Sequence, residues 1–138
     1  MAIPTKNKEN FTTTVTFKNS EDQILAEYGY IPPEQVRSVT LDNVIVSERV
    51  HRLRLPADII AELGLALAEE IEFETATGIE TVRIFKSVTL ALQGRETSCY
   101  CVELPKGESA VLSGTTLLRL DLKFDVNNQQ LIKVMARI

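Results

Sequence analysis

The chain is short of the features that announce most chemistries. Among its 138 residues there are two cysteines and one histidine. Both thiols fall in Cys99-Tyr100-Cys101, and the histidine is His51. A structural zinc site needs a closed set of ligands at suitable spacing, and this set does not supply one, so no metal is expected. Residues at i and i+2 of a strand share a face. A bridge between the two thiols would distort the strand, and they read as half-buried strand residues.

Other absences narrow the field further. Gly64, Gly78, Gly94, Gly107 and Gly114 stand alone, with no G-x-G-x-x-G and no G-K-[ST], so no phosphate-cradling loop or cofactor is expected. No block of like charge and no low-complexity tract occurs. No apolar run approaches the ~20 residues of a membrane span. Met1–Asn10 lacks the apolar stretch of a signal peptide, and the expected location is cytoplasmic. A net charge of -4 argues against a phosphate-backbone partner, so neither nucleic acid nor membrane is expected as a partner.

What is present is an ordinary globular composition. Hydrophobic residues make up 44% and charged residues 25%, enough for one core in one domain. Residues 1–10 read as a flexible polar leader, and residues 11–138 as a single domain. Phe11 to Phe17 is rich in β-branched and aromatic residues and predicts a strand. Ser20-Glu21-Asp22-Gln23 has the capping-box pattern, with Ser20 as N-cap, and opens a helix that stops at Gly29. Glu34 to Arg37 gives at most one helical turn after Pro32-Pro33. Ser38 to Val46 returns to strand.

Leu53 and Leu55 alternate with Arg52 and Arg54, a one-sided strand, before Pro56 opens a short helix closed by Gly64. Glu70 to Thr75 alternates strictly, with one acidic face, and pairs with Ile79 to Phe85 across Ala76-Thr77-Gly78. Val88 to Leu92 and Thr97 to Leu104 form a second hairpin across Gln93-Gly94-Arg95. Ala110 to Leu112 is a short buried strand that turns at Gly114 into a helical segment over Thr115–Leu120. Leu131 to Val134 makes a last strand behind an Asn127-Asn128 corner. Many short strands, two or three short helices and no sustained βαβ alternation predict a mostly β fold with a closed barrel or curled sheets.

The order of these parts resembles the single-domain, bacterial retropepsin-like aspartic protease family. The residues that carry the resemblance are the Ile24–Arg37 insertion, the turn followed by Leu53-Arg54-Leu55-Pro56 and Glu62-Leu63-Gly64-Leu65, the Ala76-Thr77-Gly78 hairpin, the Gly94-Arg95 hairpin, and Leu112-Ser113-Gly114-Thr115-Thr116-Leu117-Leu118. The resemblance implies a homodimer, in which each chain supplies half of a symmetric cleft. It also implies an Asp-Thr/Ser-Gly turn, whose Asp is the catalytic acid/base. Here that turn reads Ser47-Glu48-Arg49-Val50. Two carboxylates must share a proton for this chemistry, and Ser47 brings none. Arg49 places bulk and charge where the family has glycine. The expectation is a catalytically inactive homodimer, a pseudoenzyme whose cleft could hold a peptide ligand. His51, Thr77, Gly78 and Gly114 are the candidate cleft and flap residues.

Other readings of the same residues stay open. Glu48 or Asp42 could act as a displaced acid and make the chain an active endopeptidase. Ser47 and His51 are close enough in sequence for contact, though no third partner of a triad is evident. Arg49, Arg52, Arg54 and His51 could receive an acidic peptide, but pairing with Glu70, Glu72 or Glu74 at ~0–1 kcal/mol each is the expected arrangement. That acidic stripe lies on a flat strand and does not wrap an ion as a calcium loop does. Finally, Arg49 to Leu65 resembles the AbrB-type DNA-binding module, which leaves the β-rich remainder unexplained.

Overall fold

The structure, a computed structural model, describes residues 11–134; the leader expected at residues 1–10 lies outside them. The fold is mostly β, with three short helices and one large mixed sheet.

Strand β1 (Phe11–Asn19) runs directly into helix α1 (Ser20–Glu27). The helix is capped one residue earlier than the capping-box pattern suggests. Asn19 is the N-cap, in extended backbone, and its Oδ1 accepts the Asp22 N–H at 3.0 Å. Ser20 is committed elsewhere, with its hydroxyl 2.7 Å from that of Thr89. Asn19 also donates its side-chain N–H to the Leu63 carbonyl at 2.8 Å, tying α1 to the end of the second helix.

A single 3₁₀ turn at Pro33–Gln35 follows, then β2 (Ser38–Ser47) and β3 (Leu53–Pro56). Pro56 caps α2 (Ala57–Leu63), whose buried residues are Ile60 and Leu63. Gly64 ends it in the left-handed conformation at φ 66°, a backbone that glycine adopts without a Cβ penalty. β4 (Leu67–Thr75) and β5 (Gly78–Leu92) form the acidic-faced hairpin.

β5 is one strand where the sequence suggested two. It runs unbroken through Lys86-Ser87, with the register shifting between Phe85 and Val88 and Ser87 at φ 23°. An extra residue here is absorbed as a bulge, which bends the strand without ending it. β6 (Arg95–Leu104) pairs back on β5 across Gln93 and Gly94, both at positive φ, as a tight hairpin turn requires. β7 (Val111–Ser113), α3 (Gly114–Arg119) and a small hairpin of β8 (Leu122–Asp125) and β9 (Gln130–Lys133) complete the described chain.

The large sheet runs β1-β2-β7-β3-β6-β5-β4. β1 pairs with β5 as well as with β2, so the ladder returns on itself, and β4 pairs with the N-terminal half of β5. Alternation does the packing. Val15, Phe17, Val44, Leu53, Leu55, Val88, Leu90 and Leu112 are all within 1% of full burial. Each such side chain contributes about 1.5–3 kcal/mol relative to exposure. Leu117, Leu120, Leu122 and Leu131 extend this cluster under α3 and the last hairpin.

Candidate functional site

β7 lies between β2 and β3. It is parallel to β2, with Ile45, Val46 and Ser47 opposite Val111, Leu112 and Ser113, and it meets β3 antiparallel at Arg54 and Val111. The link between β2 and β3 must therefore travel around the end of β7. The sequence-singled turn Ser47-Glu48-Arg49-Val50 begins that link, beside the start of α3.

Ser47 is half-buried, and its hydroxyl accepts the Arg49 N–H at 3.3 Å. Glu48 and Arg49 are exposed and Val50 is half-buried. Gly114 lies against the turn: a Cβ there would sit 3.7 Å from Glu48 Cα and Cγ, in ordinary van der Waals contact. Ser113 is fully buried and caps α3, accepting the Thr116 N–H at 3.1 Å. Asp42 is exposed, five residues before Ser47 on the same strand.

The residues named in the sequence part company here. Ser47, Glu48 and Gly114 share one locus, and Thr77-Gly78 form the tip of the β4–β5 hairpin. No hydrogen bond joins Ser47 to His51 among the described residues, since Ser47 turns back on Arg49. His51 and Arg52 instead face a separate cavity of about 410 Å³. Its wall is completed by Ser87, Ser98, Cys99, Tyr100, Thr115, Thr116 and Arg119.

The expected pairing of Arg49, Arg52 and Arg54 with the β4 carboxylates does not form. Glu70 faces Arg83 at 4.0 Å, and Arg83 reaches Glu103 at 3.6 Å. Arg83 sits opposite Glu70 in the β4–β5 register, so it takes the partner that the sequence reading gave to Arg49, Arg52 and Arg54. Among the described residues, Arg49, Arg52, Arg54 and Arg119 make no ion pair.

The two thiols lie on the inward face of β6, unbridged. Burial pushes the Cys99 thiol up, and the Arg119 guanidinium and the Thr116 hydroxyl pull it partly back. Burial pushes Cys101 up to about 12, with the neighbouring Cys99 and Glu103 adding to the rise. A thiol held protonated is a poor nucleophile and a poor metal ligand. Among the described residues, no three His, Cys, Asp or Glu side chains gather as a metal site, and no helix is long and apolar enough to cross a membrane.

Arg119, Ser87 and Tyr100 were not singled out by the sequence. The parallel pairing of β3 with β6 places Leu53 opposite Cys101, and so brings His51 and Arg52 beside Cys99 and Tyr100. Parallel register is a long-range property with no local sequence mark. No protein-family profile matches the chain, and no curated protein matches it significantly.

Proposed function

We propose that the chain is a non-catalytic, retropepsin-like module that pairs with a second copy about a two-fold axis. The cleft between the copies would hold an extended peptide. The observation that carries this reading is the turn after β2. It stands beside β7 and the start of α3, where the resemblance puts a catalytic acid, and it offers the Ser47 hydroxyl. The self-returning ladder, read as a closed barrel, and the β4–β5 hairpin, read as a flap with Thr77 and Gly78 at its tip, support the same frame.

The chemistry follows from what Ser47 lacks. Aspartic proteolysis uses two close carboxylates that share one proton, one acting as acid and one as base on a bridging water. A serine hydroxyl does not ionise in this range and cannot activate that water. Glu48 points into solvent beside Gly114, and Asp42 is remote from the turn along β2. The reading places the protein in the cytoplasm.

The test is a cleavage assay. Purified protein is incubated with unfolded protein substrate from acidic to neutral pH, with and without pepstatin, alongside Glu48→Gln and Asp42→Asn. The expected result is no turnover by any of the three proteins. Pepstatin-sensitive cleavage that disappears in either variant would replace this reading with that of an active endopeptidase using a displaced acid.

A further inference from the structure

The cavity beside the turn has a composition at odds with the rest of the molecule. The chain carries a net charge of -4, yet His51, Arg52 and Arg119 all line this one cavity and, among the described residues, no carboxylate does. Arg52 and Arg119 make no ion pair among the described residues. In an acidic protein, a guanidinium readily finds a carboxylate, as Arg37, Arg83 and Arg95 do here. Two that converge on a concavity without one leave an unmatched positive field, focused by low-dielectric walls.

The remaining wall supplies neutral donors. Ser87, Thr115 and Tyr100 bring hydroxyls that make no hydrogen bond among the described residues, whereas those of Ser98 and Thr116 are held by Thr89 and Ser113; Tyr100, 47% exposed, also brings an aromatic ring. Ser87 is presented by the β5 bulge at φ 23°, a strained backbone for a residue with a side chain. Bulges of this kind re-aim a side chain out of the regular pleat. Planar guanidinium forks match the oxygen geometry of carboxylates and phosphates. At about 410 Å³ the cavity falls within the ~300–1,000 Å³ typical of small-molecule sites.

We propose that this cavity binds a small organic oxyanion, a phosphate monoester or a carboxylate, held by Arg52 and Arg119, with His51 and the Ser87, Thr115 and Tyr100 hydroxyls as further donors. The site lies within one protomer and does not depend on dimerisation or on the retropepsin-like reading. Its aromatic wall at Tyr100 favours an anion that carries an apolar group.

The experiment is an amide NMR titration of the full chain with phenyl phosphate and, separately, with benzoate, against sodium chloride at matched ionic strength. Binding is expected to shift the amides of Arg52, Cys99, Tyr100 and Thr116 together along one saturating curve. Arg52→Gln and Arg119→Gln, both changes at exposed side chains, should keep the parent spectrum elsewhere and each weaken binding about tenfold or more. Saturation by phenyl phosphate alone identifies a phosphate site, and by benzoate alone a carboxylate site. The proposal is overturned if neither anion saturates these amides, if sodium chloride reproduces the shifts, or if both variants bind as the parent does.

Discussion

Ser47 and Ser113 are the last register pair between β2 and β7, and their hydroxyls have opposite fates. The Ser113 oxygen is fully buried, accepts the Thr116 N–H at 3.1 Å and lies 2.8 Å from the Thr116 hydroxyl. Ser47 is half-buried, and among the described residues its hydroxyl makes only the 3.3 Å bond from Arg49 within its own turn. One serine holds the scaffold, while the other stands, in the proposed reading, where the retropepsin-like family carries its acid.

Substitution should separate the two. Ser113→Ala removes a helix cap and the buried 2.8 Å contact with the Thr116 hydroxyl, so a loss of about 1–2 kcal/mol is expected. Ser47→Ala should change stability by no more than about 0.5 kcal/mol. Urea unfolding of the two variants measures both. A Ser47→Ala loss as large as that of Ser113→Ala would make Ser47 a structural residue.

Asp22 and Arg37 fix the insertion between β1 and β2. Arg37 donates to the Asp22 carboxylate from Nε at 2.8 Å, from Nη2 at 3.1 Å and from its backbone N–H at 3.0 Å. The guanidinium hydrogen bonds hold the Asp22 carboxyl below its ordinary value, against the opposing effect of burial. A depressed folded-state pKa adds stability that is complete above the unfolded value near ~4 and is lost as pH falls through the folded value. Arg37 is 52% exposed, so solvent screening trims the gain. Asp22→Asn is expected to cost about 1–2 kcal/mol at neutral pH. The difference from the parent should shrink as pH drops below about 4. Thermal melts across that range check it, and a gap that persists at the lowest pH would assign the loss to packing.

The same arginine lies over Gly64. At φ 66° the backbone is left-handed, and a Cβ there would collide with the Arg37 guanidinium. Gly64→Ala is expected to destabilise by about 1 kcal/mol or more. It should also weaken the Asp22–Arg37 pair, so Gly64→Ala and Asp22→Asn together should cost less than their separate sums. Strict additivity in a double-mutant cycle would show that Arg37 moves aside without losing its partner.

Local signals carried much of the fold into the sequence. The β4 and β5 residues alternate, Gly94 marks the β5–β6 corner, and Pro56 and Gly64 bracket α2. Where sequence reading went astray, two local options were nearly equal or the decisive contact was distant. Asn19 and Ser20 can both cap a helix, and Thr89, remote in sequence, decides between them by holding Ser20. Lys86-Ser87 looks like a break because a bulge and a turn use similar residues. Placement of β7 between β2 and β3, and the lining of one cavity by both Arg52 and Arg119, depend on parallel pairings between segments far apart in the chain. The turn Ser47–Val50 stood out by its residues; the cavity next to it did not.

The most direct measurement concerns whether two Ser47 turns face each other. Ser47→Cys, made with Cys99→Ser so that buried Cys101 is the sole other thiol, is treated with a mild oxidant at concentrations where sedimentation reports the oligomeric state. A disulfide needs Cα atoms within about 7 Å. Rapid formation of a covalent dimer is expected, as the two turns would meet across the two-fold axis. A chain that sediments as a monomer, or a dimer in which this cysteine never links, would contradict a paired, acid-free cleft.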